Sequence, residues 1–533
     1  LNFHQAKGVS QTISTMKRRN FIRTAGAAAA IPMVLNGMKL SASPMSALFS
    51  SIDPYSDKVL VIIRLSGGYD GLNVVLALDQ YSNLTKLRAN ILIPEAKALK
   101  ISTTTGLHPA MTGFNQLFQD GKLSVIHSVG YPNQNRSHFR STDIWQSGSA
   151  ANVNINTGWI GRYFEDQHPK YPEGFPNGQF PDPFALTLGS TVSETCQGTV
   201  GNFSLTLTDP YNFGKLTEGK ETLFPESPYG KELSFLRTSI SQTNQYSDVI
   251  TAASKKGKNL ATYPTSNLAS QLKNVALLMS GGLKTRVYVA NLGGFDTHAN
   301  QVDGSDTTKG TQRELLFILS EAIRAFQEDL RKLGLEERVV GMTFSEFGRQ
   351  IKSNFSLGTD HGTAAPLFVF GSCVNKQIVG KNPDIPATVP DQTGVPMQTD
   401  FRDVYGSILQ DWFGVSVADI KDYLFANYTH QPIIKNCAVA TDTDDLLVEE
   451  TSVQVYPNPF RETSRIAFRL NASAFTRVSV FDNIGSELQV LVSQQLGAGD
   501  HQLEFYGRDL PAGIYFCRIQ VGREVQSLRM IKI

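Results

Sequence analysis

Asp70, Asp296, His298, Glu346, Asp360 and His361 are residues through which this 533-residue chain could do chemistry. They sit in four short Gly-bearing strings: GGYDGLN, GGFDTHANQ, SEFGR and GTDHG. Carboxylates gathered closely repel and take up protons unless a cation neutralises them. A mixed set of Asp, Glu and His suits zinc or a similar borderline divalent ion. Each residue alone also has an ordinary structural account: Asp70 in a Gly-rich turn, Asp296 in an Asx turn, Glu346 as a helix cap, His361 as a loop histidine. What separates the two accounts is whether the surrounding elements bring the side chains together.

The strand pattern can do so. Val59 to Ile63 is a run of apolar β-formers that reads as a fully buried strand, and Asp70 follows it just past Gly67 and Gly68. A strand over Arg286 to Leu292 precedes Asp296 and His298 in the same way, and one over Arg338 to Phe344 precedes Glu346. Asp360 and His361 stand just before a strand over Pro366 to Gly371. Helical spacing lies between them, in Met111 to Phe118, Leu268 to Ser280 and Thr311 to Leu333. Alternation of this kind predicts an α/β fold: a mainly parallel sheet with helices on both faces. Ligands in such sheets collect beyond the carboxyl ends of the strands, so all of these side chains can converge there. Ser137 follows a strand over Leu123 to Val129 and opens a helix in NQNRSHFRSTDIW. It is the candidate nucleophile, with Arg136 and His138 placed to hold an anionic substrate. The alternative for Ser137 is a plain N-cap. Asp400 reads as a helix cap, and His108 and His127 as structural.

The 49 lysines and arginines balance 48 acidic residues, a net charge of +1, which excludes nucleic acid or a membrane surface bound through bulk charge. Cys196, Cys373, Cys437 and Cys517 are far apart with no CxxC pair, which argues against a thiolate zinc site and leaves a single bridge open. MKRRNFIRTAGAAAAIPMVLNG resembles a twin-arginine export signal, with Met16 as the expected start. Its apolar core is too short and weak to span a membrane. The expected organisation is an upstream extension, signal and tether over 1–50 and the α/β domain over 51–436. A Pro-, Gly- and Asn-rich insertion or cap over the sheet edge is expected at 166–265, an acidic linker at 437–450, and a small all-β Ig-like sandwich over 451–533.

Two resemblances follow from longer strings. VYPNPF, VFDNIGSEL, LPAGIYFCRI and the terminal MIKI make 451–533 look like a type A C-terminal sorting domain of the type IX secretion system. GGYDGLN, GYPNQNRSHF, GGFDTHANQ, SEFGR, GTDHG and DFRDVYGSILQDWFG resemble, in this order, domain-of-unknown-function family 1501 of the alkaline-phosphatase-like superfamily. The superfamily resemblance implies metals at the carboxyl edge of the sheet and a nucleophile at a helix start between them. By position, Asp70, Asp296, His298, Glu346 and His361 would match its acids and histidines. The D-x-H spacing of Asp296 and His298, where the phosphatases have D-x-x-x-H, and Phe347 in place of a histidine leave a second metal site weakened, altered or missing.

The expected function is an exported metal-dependent hydrolase of phosphate or sulfate esters, using zinc or a similar divalent ion as one or two ions. Its expected partners are a small-molecule or glycan-linked ester, the twin-arginine translocase and the type IX machinery. It would reach the cell surface or medium by way of the periplasm, with no transmembrane span and no nucleic acid. The competing expectation is a non-catalytic surface or glycan-binding protein on the same fold. NRSHF lacks the CxPSR-like string of formylglycine sulfatases, which disfavours that chemistry.

Overall fold

Residues of the first strand divide between two cores. Val59, Val61, Ile63 and Leu65 enter one, and Leu60 and Ile62 enter the other, as the two-residue period of a strand requires when both faces are covered. The computed structural model describes residues 57–211, 228–435, 437, 453–470, 474–482, 487–521 and 524–533. The twin-arginine-type segment lies outside these. The described residues fall into two units, 57–437 and 453–533, considered separately.

The first unit is built on nine strands: β1 (Val59–Ser66), β2 (Leu123–Gly130), β3 (Ala185–Leu188), β4 (Ser204–Leu207), β5 (Val287–Gly293), β6 (Val339–Phe344), β7 (Ala365–Phe370), β8 (Gln377–Val379) and β9 (Thr399–Asp400). Their order across the sheet is β8, β2, β7, β6, β1, β5, β3, β4, with β9 also paired to β2. Every pairing is parallel except those of β7, which runs antiparallel to both β2 and β6. The reversal matters for the site. It turns the start of β7 toward the rim where β1, β2, β5 and β6 end, so residues preceding β7 meet residues following the others.

The helices of eight residues or more are α1 (Tyr81–Arg88), α2 (Thr112–Gln119), α3 (His138–Ser147), α4 (Trp159–Gln167), α5 (Pro228–Lys256), α6 (Asn267–Ser280), α7 (Thr311–Lys332) and α8 (Phe401–Asp411). Phe114 of α2, Ile250 of α5, Leu272 of α6 and Ile323 of α7 pack on one face. Trp145 of α3, Tyr163 of α4 and Ile408 of α8 pack on the other. Helices therefore cover both faces, as the alternating pattern predicts. The Asp400 side chain accepts the Arg402 N–H and caps α8. The stretch 166–265 departs from expectation. It extends the sheet edge with β3 and β4 and supplies the 29-residue α5. Four-residue strands between Pro, Gly and Asn turns are too short to show a period.

Cys373 and Cys437 form a disulfide, while Cys196 and Cys517 are buried thiols. The second unit has two antiparallel sheets built from β10 (Gln454–Tyr456), β11 (Thr463–Leu470), β12 (Ala474–Phe481), β13 (Glu487–Leu496), β14 (Gly499–Tyr506), β15 (Gly513–Val521) and β16 (Glu524–Lys532). One sheet runs β10, β11, β14 and the other β13, β12, β15, β16. Ile466, Phe468 and Phe505 from the first and Val478, Val480, Cys517 and Met530 from the second share one core. No helix among the described residues is long and apolar enough to cross a membrane.

His108 and His127 are buried in the first unit and make an acid-stability prediction. Burial pushes both down to about 4, helped at His108 by the Arg313 charge and opposed at His127 by Asp79. His108 Nδ1 accepts the Ala110 N–H at 3.0 Å, a role that protonation removes. Both rings are neutral when folded but protonate near 6.5 when unfolded, so their contribution is complete above pH 6.5 and declines toward pH 4. Urea unfolding should show stability falling between pH 6.5 and 5.5, above the carboxylate range, by at most about 1.4 kcal/mol per pH unit for each histidine. A flat profile there would refute it.

Candidate metal centre

Four loops, after β1, β2, β5 and β6, meet at the carboxyl rim because their strands are neighbours. The loop after β1 passes against the loop after β5 so closely that a Cβ on Gly67 would lie 2.3 Å from the Asp296 backbone nitrogen, and Gly67 has φ +125°. Only glycine fits this crossing. The Phe295 N–H donates to the Ser66 carbonyl at 3.1 Å, and the Gly67 N–H donates to Glu346 Oε1 at 2.9 Å. The buried Arg349 guanidinium joins the loops. It donates to the carbonyls of Gly67, Gly68, Phe295 and Thr359 and to Asp296 Oδ1 at 2.6 Å. Arg349 lies in SEFGR, yet nothing in its local spacing marks it as the tie.

Three imidazoles surround Asp296. His138, the first residue of α3, places Nδ1 2.8 Å from Glu346 Oε1. His298 places Nδ1 2.7 Å from Asp360 Oδ1, and His361 places Nδ1 3.0 Å from the Arg136 carbonyl. Each oxygen partner is an acceptor, so each Nδ1 carries the hydrogen and each neutral ring presents the lone pair of Nε2. The Nε2 atoms of His298 and His361 face each other at 2.9 Å and lie 3.0 and 3.2 Å from Asp296 Oδ1. His138 Nε2 lies 3.5 Å from Asp296 Oδ2 and is buried without a hydrogen-bond partner. Lone pairs aimed at one another and at a carboxylate repel unless a cation lies among them. Zinc bonds of about 2.0–2.1 Å in a tetrahedron set donors about 3.3 Å apart, close to these separations. The ligand atoms of His138, Asp296 and His361 lie within 4.8 Å of one another and fit a divalent ion, with His298 adjoining them at Asp296 Oδ1 and His361 Nε2. The oxygen on each Nδ1 is the partner that would orient a ligating histidine.

The electrostatics agree. Burial works against ionisation of Asp296, but the hydrogen bond and charge of Arg349, with His361 and His298, hold its carboxyl below the usual range. At His361, burial and then the Arg349 charge outweigh the Asp296 hydrogen bond and lower its affinity for a proton.

The expected site residues divide into three groups. Asp296, His298 and His361 come together, and with them His138, which was expected to hold substrate. Its N-terminal helix position placed it next to Ser137 and masked its role. Glu346 and Asp360, expected as ligands, instead hold the Nδ1 atoms of His138 and His298. Asp70 requires a correction: its carboxylate is buried and turned to Arg88, whose Nη1 lies 2.9 and 3.0 Å from its two oxygens, while Gln301 donates to Oδ2 at 2.7 Å. A guanidinium supplies the positive charge that the sequence reading assigned to a metal. Arg136 contributes its carbonyl to His361, and among the described residues its guanidinium has no partner. Ser137 occupies the N-cap of α3, yet its side chain makes no cap bond and it is exposed. The Phe347 ring walls the site, 4.9 Å from His138 and 4.7 Å from His361.

The fold and site define a class: a mixed α/β domain with a three-histidine, one-aspartate cluster at the carboxyl rim of its sheet, followed by a small antiparallel β unit. Residues 240–420 match the model "Protein of unknown function (DUF1501)" and residues 454–533 match "Secretion system C-terminal sorting domain". The latter marks the protein for secretion. No curated protein matches the chain. Among solved structures, PorZ, a surface component of the type IX secretion system of Porphyromonas gingivalis, aligns with 22% identity and TM-score 0.12, over 15% of this chain and 11% of PorZ. A protein in the alkaline phosphatase superfamily from Vibrio parahaemolyticus aligns with 10% identity and TM-score 0.31, over 79% of this chain and 78% of that one. A 2-O GAG sulfatase aligns with 9% identity and TM-score 0.31, over 85% of each chain.

Proposed function

We propose that the protein is a secreted metal-dependent hydrolase of phosphate or sulfate esters on an alkaline-phosphatase-like fold. The observation that carries this reading is the approach of the Nε2 atoms of His138, His298 and His361 to the one Asp296 carboxylate, at 3.5, 3.0 and 3.2 Å. His138, Asp296 and His361 would hold a divalent ion, with His298 beside them at Asp296 Oδ1, zinc being the choice that suits this donor set. When bound, such an ion acts as a Lewis acid toward an ester oxygen and favours the deprotonated form of a nearby hydroxyl.

The remaining steps belong to the chain. Arg136 receives the anionic oxygens of the ester through its unpaired guanidinium. The free N–H groups at the start of α3 favour the same negative charge. Ser137 Oγ would attack the phosphorus or sulfur in line and give its proton to solvent water, while the bond to the ester oxygen breaks on the opposite side and that oxygen leaves as the alcohol with a proton from water. A second water would then displace Ser137 from the seryl ester, releasing the inorganic anion and restoring the hydroxyl. Glu346 and Asp360 fix the tautomers of His138 and His298, and Phe347 excludes water from one side. Delivery by twin-arginine export and then type IX secretion, with 51–436 as the working domain, 437–450 as a linker and 451–533 as the sorting domain, completes the reading.

The test is metal analysis of the purified protein, followed by turnover of p-nitrophenyl phosphate and sulfate with and without chelator. Turnover should be lost with chelator. Ser137→Ala should lower kcat by at least about a hundredfold with metal content unchanged. If metal is bound, neither ester turns over and Ser137→Ala changes nothing, a binding protein replaces the hydrolase.

A further inference from the structure

Tyr131 directly follows β2 and is buried, yet its hydroxyl reaches three polar groups beneath the loop that carries Ser137. Ser141 Oγ lies 2.8 Å away, the Asn135 backbone nitrogen 3.1 Å and the Asn135 carbonyl oxygen 3.4 Å. The hydrogens can be assigned. Ser141 has one, and it goes to the Glu346 carbonyl. Tyr131 therefore donates to Ser141 Oγ, the nearer of its two acceptors, and its own oxygen accepts the Asn135 N–H. Burial raises the phenol above the usual tyrosine range, against the opposing effect of the bonds with Ser141 and Asn135, so the hydroxyl keeps its proton. The result is a directed line: Asn135 N–H to Tyr131, Tyr131 O–H to Ser141, Ser141 O–H to Glu346.

Both ends of this line are at the site. At one end, the Asn135 side chain folds forward and its Oδ1 accepts the Ser137 N–H at 2.8 Å. That bond turns the chain into α3 and does the work of a cap, so Ser137 Oγ makes no bond to the helix and stays exposed. At the other end, Glu346 places Oε1 2.8 Å from His138 Nδ1. The same loop is held a second time, since His361 Nδ1 lies 3.0 Å from the Arg136 carbonyl. Packing does not call for the Tyr131 hydroxyl. Its ring meets Phe401 edge-on at 5.8 Å, a contact that a phenylalanine would keep.

We propose that Tyr131 is a positioning residue of the site, acting through Asn135 to fix the backbone at Ser137 and leave the serine hydroxyl free for the ester. The inference rests on the hydrolase reading for what Ser137 does, while the tether itself needs only the hydrogen bonds. Removing the Tyr131 hydroxyl leaves the bond between Ser141 and Glu346 in place, so the donor set of the centre is untouched.

Amide exchange and steady-state kinetics on the full-length, zinc-loaded Tyr131→Phe protein test it together. The Ser137 N–H, which does not touch Tyr131, should exchange about tenfold faster, while the Gly148 N–H at the far end of α3 keeps its rate. With p-nitrophenyl phosphate or sulfate, kcat should fall about tenfold with KM and zinc content unchanged. Asn135→Ala removes the last link at an exposed position and should give the same two changes with every buried hydroxyl in place. Tyr405→Phe is the matched control. It removes a buried tyrosine hydroxyl that donates to the Trp145 carbonyl of α3 at 3.1 Å, and it should alter neither readout. Unchanged exchange at Ser137 in either variant overturns the tether, as does a rise shared by Gly148 or reproduced by Tyr405→Phe, which is general loosening. Faster exchange with unchanged kcat overturns the positioning role. If the wild type turns over neither ester, the hydrolase reading falls and the positioning role with it, and exchange at Ser137 decides the tether alone.

Discussion

Asp296→Ala is expected to reduce zinc affinity by more than about a hundredfold, beyond the effect typical of residues that only orient ligands. Two losses combine. The variant gives up the one carboxylate that all three imidazoles approach, and it leaves the Arg349 guanidinium, formerly 2.6 Å from Asp296 Oδ1, facing the ion without an anion between them. The fold should survive, since Arg349 keeps its bonds to the carbonyls of Gly67, Gly68, Phe295 and Thr359. Competition against a chromophoric chelator measures the affinity, and thermal unfolding of the metal-free protein checks the fold. Glu346→Gln and Asp360→Asn, which weaken the hold on a ring nitrogen, should each cost about tenfold to a hundredfold. His430→Ala, which removes an exposed pair with Asp411 elsewhere, should leave affinity unchanged. Wild-type affinity in Asp296→Ala would remove the centre from consideration.

Arg88→Met should be the most destabilising single change considered, by about 3–5 kcal/mol. The pair it breaks is buried on both sides. Without the guanidinium, Asp70 keeps Gln301 as a donor but has no opposing charge, and a buried carboxylate in that position is costly. The loss extends to the backbone, because Arg88 Nε donates to the Ile351 carbonyl at 2.8 Å and Nη2 to that of Gln350 at 3.1 Å. Those bonds tie the end of α1 to the segment just past Arg349. The urea midpoint should therefore fall with the slope unchanged. Adding Asp70→Asn should recover part of the loss, since no uncompensated charge then stays buried. If the double variant is no more stable than Arg88→Met alone, the charge is not what the pair supplies.

The two predictions mark where sequence reasoning succeeded and where it could not. Long apolar runs such as Val59 to Ile63 and the helical spacing of Thr311 to Leu333 are dictated by burial on a fixed period, so strands, helices and the rim they define were legible. So were Asp296, His298 and His361, which follow from position relative to strand ends. Asp70 satisfied the same rule and still belongs elsewhere, because its partner Arg88 lies 18 residues on, in a helix whose orientation no local pattern reveals. Glu346 and Asp360 lie beside the cluster, but whether each carboxylate faces Asp296 or the ring nitrogen behind it depends on local reach that the spacing does not reveal. The direction of β7 was equally invisible, since a continuous apolar run such as Ala365 to Phe370 reads the same in either sense.

The bridge between Cys373 and Cys437 gives the first unit a closed hem. It joins the residue just after β7 to the last described position before the acidic stretch, and backbone bonds from Asn375 to Ile433 and from Lys435 to Cys373 run alongside it. The bridge thus ties the last described segment of the first unit back to the end of its sheet. Reductant should then lower the melting temperature of the first unit, and Cys373→Ser should do the same without reductant. Bridges of this kind persist where the surroundings are oxidising, which accords with a chain that ends in a secretion-type sorting domain.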